Sequence, residues 1–256
     1  FKQKTAYEML RSLVGSEMCI RDRNRTITYS DLGLIDYKEA WDLQYNLHQL
    51  RVENQISDLL LLLEHPHTYT LGKTAHIENL ISSEEFLNKN KISVYNIDRG
   101  GDITYHGPGQ LVGYPIINLS EWYQDSHKYL RTLEEVLIKV CSDYGLKAER
   151  NEKYTGVWIE DRKIAAIGIK ISRWVTMHGF AFNVNTDLSL FNGIIPCGIS
   201  DKSVTSLEKE LKITLPINDV KEKVLKYFAD EFNYNFIITE EIKNLKNNFI
   251  DELKGI

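Results

Sequence analysis

Cys197 is the cysteine whose neighbours best suit it to reaction. It stands in Gly193-Ile-Ile-Pro-Cys-Gly-Ile199, where Pro196 fixes the entry to the bend and Gly198 permits a sharp exit. Such a bend can expose sulfur and aim neighbouring N–H groups at a developing oxyanion, which is what an acyl-transfer nucleophile needs. The other reading of a lone cysteine is a small buried hydrophobe. Lys163 opens the small-residue run Lys-Ile-Ala-Ala-Ile-Gly-Ile169 just after a two-residue turn, so it is either a solvated turn cation or a lysine beside a pocket. His178 lies in the apolar run Met177-His-Gly-Phe-Ala-Phe-Asn183, as a hydrogen-bonded core imidazole or as part of a pocket wall.

A second kind of signal comes from Arg99-Gly-Gly-Asp-Ile-Thr-Tyr-His-Gly-Pro-Gly-Gln110, which sets four glycines among a cation, a phenol and an imidazole. Glycine loses more backbone entropy on folding than any other residue, so a cluster of them marks positive φ or close main-chain approach to a ligand. A tight hairpin connection with polar decoration is the alternative. The loop is not a phosphate cradle, because neither Gly-x-Gly-x-x-Gly nor the P-loop pattern is present and it leads into a strand rather than a helix. His65, His67 and His76 lack the spacing of a metal site, and no metal is expected.

These residues must be positioned by regular elements. Asp36 caps a helix that ends near Asn54, Asp58 to Leu63 reads as a buried strand, Glu64 to Gly72 as the loop leaving it, and Ser83 to Lys89 as a short helix. Ile92 to Arg99 and Leu111 to Leu119 are strands on either side of the glycine loop. The strongest helix opens near Ser126, carries Leu130, Leu133, Leu137, Val140, Cys141 and Tyr144 on one stripe, and stops at Gly145. Cys141 is therefore a core residue. Gly156 to Glu160, Lys163 to Ser172 and Val175 to Asn185 form an antiparallel meander, followed by an irregular segment to Val204 and a helix from about Asn218 to Asn233.

The 256 residues, 43% hydrophobic and 11% aromatic, suffice for one α+β domain over 25–236. Residues 1–24 are expected to be a non-native or disordered leader: they lack a secretory pattern, and the text from Tyr7 to Arg23 resembles translated sequencing-adapter read-through. Residues 237–256 read as a helical surface tail. A net charge of −5 argues against nucleic acid as a partner, no apolar run reaches the length of a membrane span, and three scattered cysteines suit a reducing cytoplasm.

The glycine loop, Lys163-Ile-Ala-Ala-Ile-Gly168, His178-Gly-Phe-Ala-Phe-Asn183 and Pro196-Cys-Gly198, in this order and together with Glu64-His-Pro-His-Thr-Tyr-Thr-Leu-Gly72, closely resemble the lipoyl(octanoyl) transferase family of lipoate biosynthesis. The resemblance spans roughly Arg25 to Phe236. It implies a mixed, largely antiparallel sheet flanked by helices, as in the catalytic domains of biotin and lipoate protein ligases. It implies Cys197 as acyl-accepting nucleophile and Lys163 as the partner that favours its thiolate and then serves as general base. The substrate-binding segments would be Arg99, Gly100, Gly101, Asp102, Ile103, Thr104, Tyr105 and His106; Ala166, Ile167 and Gly168; and Gly179, Phe180 and Ala181, with His178 and Tyr105 lining the same cleft. Ile103, Ile167, Phe180 and Phe182 would keep it dry.

The implied donor is octanoyl-acyl carrier protein, and the implied acceptors are lipoyl domains of 2-oxoacid dehydrogenase complexes and the glycine-cleavage H protein, with no cofactor. Such partners are acidic, so a basic patch including Lys73, Arg162, Lys170 and Arg173 is predicted. An ATP-dependent ligase on the same fold and a non-catalytic acyl- or lipoyl-binding module are the alternatives.

Overall fold

Five consecutive leucines, Leu59 to Leu63, can all be buried only in a strand covered on both faces. That is where they lie in the computed structural model, which describes residues 25–195 and 203–241. The strands in chain order are β1 (Thr26–Leu34), β2 (Asp58–Glu64), β3 (Thr68–Leu71), β4 (Ser93–Asn96), β5 (Ile103–His106), β6 (Gln110–Ile116), β7 (Glu149–Arg150), β8 (Val157–Ile159), β9 (Arg162–Ser172), β10 (Val175–Asn183), β11 (Ser203–Val204) and β12 (Phe236–Thr239). The helices are α1 (Tyr37–Val52), α2 (Glu84–Lys89), α3 (Ser126–Asp143), α4 (Leu207–Leu211) and α5 (Ile217–Glu231).

The main sheet runs β12-β1-β2-β6-β10-β9-β8-β7, with β11 added to β9, and a small sheet runs β4-β3-β5. Pairing is parallel between β12 and β1, β1 and β2, β11 and β9, and β3 and β4, and antiparallel elsewhere. The expected mixed, largely antiparallel sheet and its β8–β9–β10 meander are thus present.

Alternate leucines of β2 serve two cores. Leu59, Leu61 and Leu63 pack with Ala40 and Leu47 of α1, while Leu60 and Leu62 share a cluster with Leu133 and Leu137 of α3 and Phe228 of α5. Burying each such side chain contributes about 1.5–3 kcal/mol. The helices start where short polar side chains cap them: Asp36 accepts from the Lys38 and Glu39 amides, and Asp125 from those of His127 and Lys128. Gly145, at φ 73°, ends the α3 turn in the left-handed region. Cys141 is fully buried and its thiol is pushed up to about 12 by burial, as befits an inert core residue.

Several elements differ from the sequence expectations. β1 carries no uniform alternation because a bulge between Asp31 and Gly33 shifts its register, and only its pairing with β2 reveals it. β3 and β5 lie inside segments that read as loops, held together by each other and by β4. The segment to Val204 contains a 3₁₀ turn, Leu188–Gly193, and α4 follows unannounced. The helical tail expected from residue 237 is corrected at its start: Phe236–Thr239 is an edge strand paired with Thr26 to Tyr29, a long-range contact that outweighs the local Lys/Asn/Glu composition. Residues 1–24 and 242–256 lie outside the described residues. No helix among the described residues is long and apolar enough to cross a membrane.

The parts are tied together by a single buried carboxylate. Asp58 Oδ1 accepts from Arg51 Nε and the Asn118 amide, each at 2.9 Å, while Oδ2 accepts from Arg25 Nη2 at 2.9 Å and Tyr234 Oη at 2.7 Å. Asp58 and Arg51 side chains are both 4% exposed. Removing one partner of a buried pair leaves the other charge uncompensated, so Asp58→Ala is expected to lower unfolding free energy by about 3–5 kcal/mol, measured by urea denaturation.

Candidate active site

β9 and β10 form the wall on which the site is built, with Ala166 opposite Ala181, Ile167 opposite Phe180, Gly168 opposite Gly179 and Ile169 opposite His178. The glycine loop is latched to this wall by the Gly100 amide, which donates to the Ile169 carbonyl at 2.9 Å. Gly168 permits the approach: a Cβ there would stand 2.8 Å from Arg99 Cδ and 3.0 Å from the Gly100 oxygen. Between loop and wall lies a cavity of about 410 Å³.

Residues singled out from sequence converge on it. Arg99, Gly100, Gly101, Asp102, Ile103, Thr104 and His106 line it from the loop; Lys163, Ala166, Ile167 and Gly168 from β9; and His178, Gly179, Phe180 and Ala181 from β10. Tyr105 is a correction. Strand alternation in β5 turns its ring to the opposite side, where it packs edge-on to Tyr69 and Phe191 and its hydroxyl meets His67 Nδ1 at 2.8 Å. Phe182 likewise sits in the main core rather than on the cavity wall. Asp102 lines the cavity while its carboxylate staples the loop, accepting from the Ile103 amide at 2.7 Å and Asn79 Nδ2 at 2.6 Å.

A buried polar chain fixes the loop's cationic end. Arg99 Nη2 donates to the Thr70 carbonyl at 2.8 Å and to Thr70 Oγ1 at 2.9 Å, and Thr70 Oγ1 lies 3.4 Å from His106 Nε2. His106 Nδ1 lies 2.9 Å from Gln110 Oε1, and Gln110 Nε2 donates to the Tyr105 carbonyl and to Asn183 Oδ1, each at 3.0 Å. Burial, with Arg99 and His65 nearby, holds the His106 pKa far below that of a free imidazole. The ring is therefore neutral at pH 7, with Nδ1–H donating to Gln110.

His178 is both a core residue and a wall residue. Its φ of 58° is left-handed in the middle of a strand, and its amide donates to Gln44 Oε1 of α1 at 2.9 Å instead of to β6. At this kink the β10–β6 ladder is interrupted beyond Phe180, and the two chains meet again at Thr176, whose amide donates to the Ile117 carbonyl at 3.0 Å. His178 Nε2 meets Asp98 Oδ1 at 2.8 Å, and Asp98 also accepts from Lys170 Nζ. The hydrogen bond from His178, together with Lys170, holds the Asp98 carboxyl well below the usual carboxylate range, whereas burial lowers His178 itself.

Lys163 is not a solvated turn cation. It is 9% exposed, and its Nζ sits 4.8 Å from the centroid of the Trp158 ring. Val204 of β11 pairs with it in parallel, and its carbonyl accepts from the Thr205 amide at 3.0 Å. Cys197, with Pro196 and Gly198, lies outside the described residues. The chain before it ends with Ile195, whose amide donates to the Asn79 carbonyl at 2.8 Å, and the chain after it re-enters the sheet at Ser203, beside Arg162. The predicted basic patch is reduced: Arg162 is taken up by Glu160 and Glu210, and Lys170 by Asp98, while Lys73 and Arg173 are exposed.

The lipoyl protein ligase A/B catalytic domain profile matches residues 36–229. The chain belongs to that family. It is 49% identical over 226 residues to an octanoyltransferase of Christiangramia forsetii, a match covering 82% of this chain and 97% of that one. It is 48% identical over 231 residues to an octanoyltransferase of Flavobacterium psychrophilum, covering 84% of this chain and all of that one. A solved lipoate-protein ligase A bound with ATP superposes with a TM-score of 0.70 at 16% identity, over 90% of this chain and 94% of that chain. A bipartite lipoate protein ligase from Thermoplasma acidophilum gives 0.66 at 17% identity, over 90% and 91%. At these identities the two structures establish the fold alone.

The cavity is also lined by residues that sequence reasoning missed. Tyr37 of α1, Tyr114 of β6 and Lys153, Tyr154 and Thr155 before β8 are among them. Asp98, adjacent to Arg99, and the lining residue Ile169, at the end of the Lys163 run, lay within reach of a motif; the tyrosines and the 153–155 segment arrive through tertiary contact. Four buried histidines accompany the site, and burial lowers the pKa of His48, His65, His106 and His178, that of His65 to about 4. Each binds a proton more readily unfolded, near pH 6.5, than folded. Their stabilising contribution is full above that pH and is lost as pH falls toward 4. Denaturation at stepped pH should show unfolding free energy dropping across this window, with a shallower drop in His65→Gln.

Proposed function

We propose that this chain is an acyltransferase that moves an octanoyl group from acyl carrier protein, through a thioester on Cys197, to the lysine amine of a lipoyl domain. One observation carries the reading: separated segments of the chain wall a single cavity, in a protein nearly half identical to octanoyltransferases. The donors and acceptors are octanoyl-acyl carrier protein and the lipoyl domains of 2-oxoacid dehydrogenase complexes and the glycine-cleavage H protein.

The chemistry follows from the residue types. A free thiol has a pKa of about 8.5, and a lysine ammonium beside it favours the thiolate. The thiolate attacks the carbonyl carbon of the donor thioester, the C–S bond to the carrier arm breaks, and the electron pair leaves on the carrier sulfur, which takes the proton of the Lys163 ammonium and leaves Lys163 a neutral amine. The acceptor amine then attacks the acyl-cysteine, its excess proton passes to Lys163, and Cys197 leaves as thiolate. Thioester exchange needs no external activation, and the final amide is more stable than the thioester. The acyl chain lies against Gly100, Gly168 and Gly179, with Ile167 and Phe180 excluding water from the thioester.

Incubation with octanoyl-acyl carrier protein is expected to place an octanoyl group on Cys197, read by intact mass and peptide mapping, and a lipoyl domain should discharge it. Cys197→Ser should show neither step, and Lys163→Met should slow acylation by about 10²-fold or more. Product from free octanoate and ATP in Cys197→Ala would replace this reading with a ligase. Failure of the wild-type chain to form any adduct would reduce it to a binding module.

A further inference from the structure

Lys163 shares its burial with one aromatic ring. Trp158 is its register partner across β8 and β9, is 1% exposed, and presents its ring with the centroid 4.8 Å from Lys163 Nζ. A slip in register between Val157 and Trp158 brings the indole to this position. Gly156, which leads into β8, is required by backbone: its φ is 127°, and a Cβ there would come 2.5 Å from the Ala165 oxygen.

The same indole holds a second element. Trp158 Nε1 donates to the Tyr154 carbonyl at 3.3 Å, and the two rings lie 6.1 Å apart. Tyr154, with Lys153 and Thr155, lines the cavity from the side that the sequence motifs did not mark. Asn151 Oδ1 anchors the start of this loop by accepting from the Lys153 and Tyr154 amides at 2.9 and 3.1 Å.

A lysine carries more rotamer freedom than almost any other side chain, so fixing its ammonium needs a specific attraction. The face of a tryptophan supplies one through its quadrupole, and the attraction grows as water is removed. A ring face holds the cation without itself adding a formal negative charge. We propose that Trp158 is a positioning residue for the transfer reaction: its indole face sets Lys163 Nζ at the cavity wall, and its Nε1–H locks the Tyr154 loop against the same lysine. The proposal rests on Lys163 acting on Cys197.

The test follows alkylation of Cys197 by iodoacetamide at neutral pH, resolved by peptide mass spectrometry, beside the octanoyl transfer assay. Trp158→Met and Trp158→Leu are expected to slow Cys197 alkylation and kcat about tenfold, and Trp158→Phe, which keeps a ring face, to stay within about threefold of wild type. Loss of the Nε1–H in Trp158→Phe should instead raise the KM for the acyl donor. A merely structural role would loosen the site and speed alkylation in all three variants. That result, or a Phe variant as slow as Met, would overturn the proposal. Should the apolar variants not fold, wild-type NMR decides: ring current must place the Lys163 Hε resonances upfield, and ordinary shifts would overturn it. Lys163→Met separates the two readings, since unchanged Cys197 alkylation there defeats the lysine–cysteine pairing and not the indole contact.

Discussion

The site depends on two strands meeting where neither carries a side chain. Gly168 stands opposite Gly179, and a Cβ on either would strike both backbone and side chain: the Gly100 oxygen and Arg99 Cδ on one side, the Gly113 oxygen and Pro115 Cδ on the other. This bare patch lets the glycine loop settle onto β9, and the Gly100 to Ile169 hydrogen bond then fixes the distance between them. The loop's lining residues and those of β9 face each other across that contact. A substitution that widens it would move the cationic and neutral polar groups together, because they are wired to the same backbone.

Charge in this region is arranged so that little of it is left uncompensated. Arg99 is held by Thr70, His106 is neutral through burial, and Asp98 is ionised between His178 and Lys170. An exception on the cavity wall is His178 Nδ1, which is buried without a hydrogen-bond partner among the described residues. Lys163 is buried in the same wall, its ammonium near an indole on a strand that the main core buries.

The main sheet explains how residues so far apart in the chain are brought together. β2 is buried on both faces and holds the centre, β6 and β10 extend it by antiparallel pairing, and β9 follows through a tight hairpin. Arg173 and Trp174 turn that hairpin with φ of 50° and 63°, the twist that matches the strands on either side. The small sheet then carries the glycine loop across to β9, with Tyr69 and Tyr105 as its own core.

Some of this was present in the sequence alone. Local caps, the buried run at β2, the stripe of α3 and the meander follow from short-range pattern, because each is decided by neighbours in the chain. The cavity's glycine loop and its Lys163 and His178 segments were also identifiable, as motifs whose composition makes little sense for packing alone. What tertiary structure decided was orientation and company. Alternation in β5 turned Tyr105 away, Asp98 and Trp158 became partners of His178 and Lys163, Glu160 and Glu210 took up Arg162, and β12 formed where composition suggested a helix. The reason is physical: which face a strand residue presents, and which charge it meets, depend on pairing across tens or hundreds of residues, and sequence-local propensity holds no information about that pairing.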